Sequence, residues 1–567
     1  MFSLRKLGRF GRTYRHLHRY NRILQVLLKY GFNDLINRLH IDQYFESGWQ
    51  RLKGNRSEEQ GPERLSRPER LRLAFEELGP TFIKLGQLLS SRPDLMPPAY
   101  LEELAHLQDR VPPVPWEEID AVFQREFGAP AETIFPYFEH EAMAAASIGQ
   151  VHRARLESGQ EVVIKVRRPG IAQLVTVDLE IFSHIASLME QYLEELRDHS
   201  PTAVVDEFAA SLSRELDFSI ELTNIQRFAL QFKDNRNIHV PAVYPELCSS
   251  RILVMEQING IKASDLQLLR ANDYDLTLIA ERGANLVMEQ IFQHGFFHAD
   301  PHPGNLFILP NNIICFIDFG QMGRLSRQDK EDFTALVQSL VKKNEQEMVS
   351  GVLRTTIQLQ EVNRERLERD LVLFTDRYLY QPLDKLEAAK IFQDLLSLVT
   401  RHRLSFKPSL YLMMKALSTL EGVGMMLDPK LKLFSLAKPF MRQLQQERMR
   451  PKRLLEDAAD FGNNYLQLLR VLPDEVQNFF RQLLSGHLRI GFEHRGIEPL
   501  QLTLERISNR IAYAIVLAAL IVGSSLIVLS GIPPRWHNVP VIGLFGFVLA
   551  ACMGFALLIS IIRHSKM

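Results

Sequence analysis

Apolar residues recur at helical spacing along most of the chain, and the places where that spacing fails carry the information. Residues 35–131 read as helices separated by polar or proline-rich loops at 54–68 and 111–115. The period then changes. Val151-His152-Arg153-Ala154-Arg155, a Ser158-Gly159 turn and Val162-Val163-Ile164-Lys165-Val166 predict two short strands joined as a hairpin. A long helical stretch follows from about 174 to 232, and residues 251–256 (RILVME) predict another buried strand before the Asn259-Gly260 turn. Beyond Asp275 helices dominate except at 306–319. There Leu306, Phe307, Ile308 and Ile313, Ile314, Cys315, Phe316, Ile317 flank Pro310-Asn311-Asn312 as a second hairpin. A small sheet with one helix, followed by a larger helical body that holds a hairpin, is an α+β arrangement in two lobes.

The last segments are of another kind. Residues 511–532 and 539–562 are two uncharged, apolar runs separated by Pro533-Pro534-Arg535-Trp536-His537-Asn538. Each is long enough to cross a hydrocarbon core of about 30 Å as a helix, so a transmembrane hairpin is expected. Arg506 and Arg510 precede the first run, Arg563 and Lys566 follow the second, and the turn carries Arg535 alone. That bias places both chain ends in the cytoplasm. Gly546, Ala550 and Gly554 recur every four residues, as do Ala514 and Ala518, which suits close approach of two helices or of two copies. The oligomeric state stays open. At the other end, residues 1–33 contain no acid and alternate bases such as Arg5, Arg9, Arg12, Arg15 and Arg19 with apolar residues. This basic amphipathic segment, taken as 1–34, suits an anionic membrane surface or a basic helix packed on its own protein.

Composition adds exclusions. The 567 residues, 46% of them apolar, are enough for more than one domain, and 67 basic side chains balance 67 acidic ones. Zero net charge argues against a nucleic-acid partner. Cys248, Cys315 and Cys552 have no metal-ligand spacing and form no disulfide framework.

Candidate chemistry lies in four pieces in one order. His298-Ala299-Asp300-Pro301-His302-Pro303-Gly304-Asn305 has the H-x-D-x-x-x-x-N spacing, in which the Asp faces the reacting hydroxyl or water and the Asn holds a metal ion. Asp318-Phe319-Gly320 follows at the end of a strand. Two oxygen donors at the mouth of one hairpin, Asn305 and Asp318, suit Mg²⁺ shared with nucleotide phosphates. Upstream, Val162-Val163-Ile164-Lys165 matches the V-A-I-K strand whose Lys meets the first phosphates and a helix carboxylate. Glu215 and Glu221 are both candidates for that carboxylate. Six residues apart, they lie on different faces of a regular helix, and the sequence does not choose between them.

With these pieces in place the chain resembles the UbiB/ADCK family of atypical protein-kinase-like proteins, from about residue 71 through the paired C-terminal runs. Lys84-Leu85-Gly86-Gln87 is similar to that family's K-x-G-Q, and Glu215-Leu216-Asp217 to its E-x-D. Ala144-Ala145-Ala146-Ser147-Ile148-Gly149-Gln150 is similar to its alanine-rich replacement for the kinase glycine loop. The resemblance implies an atypical two-lobed kinase-like fold: a helical extension at 35–131, an N-lobe at 132–258, a C-lobe at 259–450 and a helical tail at 451–510 before the spans. It implies ATP contacts from residues 144–150 with Val151, from Lys165, and from Met255 and Glu256 at the hinge. Cβ atoms on Ala144, Ala145 and Ala146 would stiffen a loop that glycine leaves free. Lys84 and Gln87, with Glu215, Asp217 and Glu221, are expected around the cleft, where the extension would obstruct a protein substrate. His302 is expected to make a structural hydrogen bond.

The implied activity is Mg-dependent ATP hydrolysis by Asp300, Asn305, Asp318 and Lys165, supporting ubiquinone or another isoprenoid-quinone pathway at the bacterial inner membrane. Membrane lipid or a quinone precursor, and quinone-synthesis enzymes, are the implied partners. Two readings stand beside it: a true protein kinase, and a non-catalytic, nucleotide-switched scaffold for quinone-synthesis enzymes.

Overall fold

The computed structural model describes residues 18–39, 65–90, 92, 95–107, 111–193, 200–342, 344–358, 362–379, 387–448, 498–536 and 539–564. The chain divides into two units, Met1–Leu454 and Leu455–Met567.

In the first unit the 151–166 hairpin forms the middle of a five-stranded antiparallel sheet. Strands Tyr137–Phe138 and Ala144–Ala145 both pair with Gly149–Arg155, which pairs with Glu161–Arg167, which pairs with Ile252–Glu256. Arg155 lies opposite Glu161 across a turn in which Gly159 takes φ +83°, a conformation costly for any residue with a Cβ. Both faces of the sheet are covered. Val162, Ile164, Val166, Ile252 and Val254 pack on Ile119, Val122 and Phe123 of the helix Trp116–Phe127. Val163, Leu253 and Met255 point the other way, into a core with Phe218, Ile225 and Phe228. Burial on two sides explains why this strand is a run of Val and Ile rather than an alternation.

The single helical stretch expected from about 174 to 232 is a misreading: it is three helices, Ile171–Tyr192, Pro201–Glu215 and Phe218–Gln231. The second break comes at Leu216 and Asp217. Asp217 leaves helical geometry (φ -110°, ψ 98°) and its carboxylate accepts from the Ser219 amide at 3.0 Å, capping the helix that follows. A continuous apolar stripe hid that cap.

The second hairpin pairs Leu306–Leu309 with Ile313–Phe316 over Pro310–Asn312, where Asn311 and Asn312 take φ of 65° and 57°. Asparagine tolerates this region better than most residues. The hairpin sits in a four-stranded sheet with Ile261–Lys262 on one edge and, in parallel, Ile238–His239 on the other. A separate two-stranded ladder joins Phe296–His298 to Met322–Arg324. Helices complete the unit, among them Leu276–Met288 and Pro408–Leu427, which pack on each other. Among the described residues three helices are long and apolar enough to cross a membrane, but Ile171–Tyr192 and Pro408–Leu427 contribute buried residues to this unit's cores.

Part of the basic N-terminal segment is integrated here. Residues 18–29 are helical, with Tyr20, Ile23, Leu24 and Val26 buried. Arg19 donates to Asp178 Oδ1 at 2.6 Å and to the Leu78 carbonyl at 2.9 Å, so this base is committed to its own protein. Residues 1–17 lie outside the described residues.

The second unit, as described, consists of the helices Glu498–Ser530 and Val541–His564, joined through a short antiparallel ladder. The small residues face the partner helix: a Cβ on Gly546 would collide with Ser524, one on Gly554 would lie 3.6 Å from Leu517, and Ala550 is buried. Ile515, Leu526, Leu529, Phe545 and Phe555 are exposed. Most of the expected 451–510 tail, residues 451–497, lies outside the described residues.

Candidate active site

Lys165 stands on the central strand with Val151 and Leu253 opposite it on either side. Its Nζ lies 2.8 and 3.1 Å from the two oxygens of Glu221, on the helix Phe218–Gln231, and 5.2 Å from the centroid of the Phe218 ring. Burial opposes the ammonium charge, but the carboxylates of Glu221 and Asp318 outweigh it and push the lysine pKa up, so the charge is held. Glu215, beyond the helix break, reaches Lys84 instead, 2.5 Å from Oε1 to Nζ. The choice between Glu215 and Glu221 therefore dissolves, because each carboxylate has its own lysine.

Asp300 and Asp318 are brought together by backbone. Met322 pairs with His298 in the two-stranded ladder, and the Ala299 amide donates to the Gln321 carbonyl at 3.0 Å, so the residues after Gly320 run directly beside those before Asp300. His298 is buried and spans the gap. Its Nε2 donates to the Asp318 carbonyl, while its Nδ1 accepts the Asp300 amide at 3.3 Å. Those two bonds require a neutral ring, and burial lowers the imidazole pKa in agreement. Asn305 is fixed from the other direction, where the Ile317 amide donates to its carbonyl at 3.1 Å, one residue before Asp318.

The side chain of Asp318 accepts the Gly320 amide at Oδ1, 3.0 Å away. Burial pushes its carboxyl up, yet Lys165, the Gly320 amide and Lys84 together hold it below the usual carboxylate range. Phe319 is enclosed between Phe228 and His298. His302 accepts the Gly304 amide at Nδ1, 3.2 Å away, which is a local turn contact.

The alanine-rich segment is folded back on the sheet. Ala144 and Ala145 pair with Val151 and Gln150, and the Ala146 amide donates to the Gly149 carbonyl at 2.8 Å. Ser147 and Ile148 are buried, and the Ser147 hydroxyl has no hydrogen-bond partner among the described residues. A Cβ on Gly149 would lie 3.0 Å from the Val166 carbonyl, so glycine permits the strand to close. Met255 and Glu256 end the edge strand, and the Glu256 carboxylate turns back to His239 and the Ala242 amide.

Three residues expected around the nucleotide have their side chains engaged elsewhere. Gln150 brackets the backbone of Val114, accepting its amide at 2.8 Å and donating to its carbonyl at 3.3 Å, which ties the strand to the segment before Trp116. Gln87 donates to the Leu107 carbonyl at 3.3 Å. Asp217 is the helix cap described above. In each case a backbone group that would otherwise be unsatisfied claims the side chain.

Sequence reasoning missed Asn224, whose buried amide donates to the Phe319 carbonyl at 3.0 Å, and Gln290, which accepts the His298 amide at 2.9 Å. Asn224 had a readable signal, since it follows Glu221 by three positions on the buried face of one helix. It also missed Lys415, whose Nζ lies 3.9 Å from Asp300 Oδ2.

Three family models match the chain. The ABC1 atypical kinase-like domain covers residues 106–352, the UbiB helical domain 371–432, and the ABC1/UbiB kinase-like C-terminal domain 495–563. A protein of Clostridium pasteurianum described as an uncharacterized protein in the hydrogenase 1 5' region is 32% identical over 97% of this chain and 100% of its own length. Proteins described as probable protein kinase UbiB are 34% identical in Aeromonas salmonicida, over 83% of this chain and 86% of that one, and 33% identical in Pseudomonas entomophila, over 82% and 87%. Among solved structures, the complex of Rv3197 with erythromycin from Mycobacterium tuberculosis aligns with a TM-score of 0.45 and 22% identity, over 62% of this chain and 90% of that one. A strand lysine paired to a helix glutamate, a loop and a hairpin that converge on two aspartates, and the family models and UbiB relatives lead to one conclusion: the chain belongs to the UbiB family of atypical kinase-like proteins.

Proposed function

We propose that this chain is a membrane-anchored, Mg-dependent ATPase that acts in the synthesis of ubiquinone or a related isoprenoid quinone. The observation that carries the chemical half is the ladder that sets Asp300 beside the Asp318-Phe319-Gly320 turn, with Asn305 held to the residue before Asp318. One carboxylate and one amide oxygen fit a hard cation that keeps waters and shares phosphate oxygens, and such an ion, when bound, supplies charge neutralisation for the phosphates. Asn305 and Asp318 would hold it. Lys165 would hold phosphate, and the orphaned Ser147 hydroxyl would find an acceptor there. Asp300 orients a water and takes its proton as the water oxygen bonds the terminal phosphorus. The bond from that phosphorus to the bridging oxygen breaks, releasing ADP and phosphate.

Water is favoured over a protein as acceptor because the chain passes from Gly320 through the Met322–Arg324 strand straight into the helix Arg327–Lys342. That leaves no long segment after the metal-holding turn on which a peptide would dock. The quinone pathway comes from family membership, the exposed apolar face of the second unit supports a bilayer anchor, and the basic residues Arg506, Arg510, Arg563 and Lys566 beside the two apolar runs support chain ends in the cytoplasm.

ATP turnover by the full-length protein in lipid vesicles tests the reading. Asp318→Asn is expected to lower the rate by about 100-fold or more. An unchanged rate removes the metal assignment, and transfer of labelled phosphate to a protein, lost in Asp300→Ala, replaces hydrolysis with protein phosphorylation.

A further inference from the structure

The segment His298 to Asn305 contains no Lys or Arg. A terminal phosphoryl group carries negative charge on its outer oxygens in the transition state, and a fixed cation there raises the rate by about 10³-fold or more. Lys165 is held against Glu221 on the sheet side, so beside the metal ion proposed above the loop side of the cleft has room for a cation supplied by the chain itself. One arrives from more than a hundred residues downstream. The helix Pro408–Leu427 packs against Leu276–Met288 and against the Met322–Arg324 strand, and it carries Lys415 to 3.9 Å from Asp300 Oδ2. Its neighbours Met414 and Ala416 are buried, as are Leu410 and Met413, so the backbone beneath Lys415 is fixed. The lysine itself stays 31% exposed and Asp300 35%, which leaves both open to a ligand in the cleft.

We infer that Lys415 is a catalytic residue: its ammonium contacts the terminal phosphoryl oxygens of bound ATP and simultaneously steadies the Asp300 carboxylate. This rests on the ATP hydrolysis proposed above. A separation of 3.9 Å is long for a committed ion pair and leaves ammonium donors for phosphate oxygen at the same point. The helical domain is thereby part of the active site, and displacement of this one helix would remove the charge from the cleft while the strand, loop and hairpin stayed in place.

The test uses the full-length protein in phosphatidylglycerol-containing vesicles, with Mg-ATP turnover, ADP affinity, affinity for the β,γ-imido analogue of ATP, and the thermal midpoint measured together. Lys415→Met is expected to lower kcat by about 100-fold and to weaken the analogue while ADP, which lacks the terminal phosphate, binds within about twofold of the parent. Lys415→Arg is expected to regain part of the rate. The inference is overturned alone if the parent hydrolyses ATP and Lys415→Met matches it, or if ADP and analogue affinities fall together with the thermal midpoint. A parent that hydrolyses no ATP overturns both readings.

Discussion

Two lysine–glutamate pairs flank the break at Leu216 and Asp217, and they are built differently. Lys165 meets Glu221 from a strand locked by backbone pairing on both edges, and only 5% of the glutamate side chain is exposed. Lys84 meets Glu215 from the helix Pro80–Ser90, which is held by side-chain packing, with 27% of its glutamate exposed. The first geometry is fixed by hydrogen bonds that no single side chain controls. The second depends on how well one helix nests against its neighbours. Asp318 feels both lysines, so the two constructions meet in one electrostatic site.

The largest separation between them should come from Glu221→Ala. Removing the carboxylate leaves a largely buried ammonium beside Phe218 with Asp318 as its remaining counter-charge, at a cost of about 3 kcal/mol in unfolding free energy. ATP turnover should fall by about 100-fold as Lys165 swings toward Asp318. Urea unfolding and vesicle-based turnover measure the two effects. If Glu221→Ala proves as mild as the corresponding change at Glu215, the contrast between the pairs is lost.

Gly86→Val attacks the packed side of the comparison. A Cβ at Gly86 would run into Leu107 and approach Phe75 Cδ2 at 2.9 Å, so the glycine is required by helix approach rather than by its dihedral angles. Overpacking here should cost about 2 kcal/mol. The kinase-like sheet should keep its own structure, and amide exchange should rise in residues 67–107 before it rises in 149–167.

The same division explains what was legible in the sequence. Both hairpins were readable because their turns declare themselves, through Ser158-Gly159 and through two asparagines at positive φ, and because each strand is a local apolar run. Lys165, Asp300, Asn305 and Asp318 were candidates for a related reason: their spacing along strand and loop is set by local backbone geometry. What escaped was non-local. The parallel pairing of Ile238–His239 with the second hairpin has no local signal, since the partners are some seventy residues apart. Lys415 reaches Asp300 through the packing of a mostly apolar helix, and the side chains of Gln150 and Gln87 meet the backbone of Val114 and Leu107, contacts that no local pattern announces. The merged helix at 174–232 was a different error: Glu215 and Glu221 were judged on one regular helix, and the Asp217 cap between them removes that premise.

That cap gives the next smaller effect. Asp217→Ala deletes the acceptor for the Ser219 amide and should cost about 1 kcal/mol, with Asp217→Asn losing far less because an Asn side chain caps equally well. The helix it starts carries Glu221 and Asn224 to the site. Turnover should therefore decline in Asp217→Ala along with the thermal midpoint and be restored in Asp217→Asn. A loss of turnover in both variants at unchanged stability would instead place the carboxylate in the cleft.

Lys84→Ala should perturb folding least. The pair with Glu215 is partly exposed on both sides, and such pairs contribute up to about 1 kcal/mol. The helix itself is held by Phe82 and Ile83, the two residues before Lys84, which are buried in the core, and those contacts do not depend on the charge. A chevron or urea midpoint should thus barely move. The charge at Asp318 is what changes: one of the lysines that stabilises its carboxylate is gone, while Lys165 and the Gly320 amide remain. If Lys84→Ala destabilises the protein as much as Gly86→Val, the helix is held by its ion pair rather than by packing, and the two lysines are then doing the same structural work by the same means.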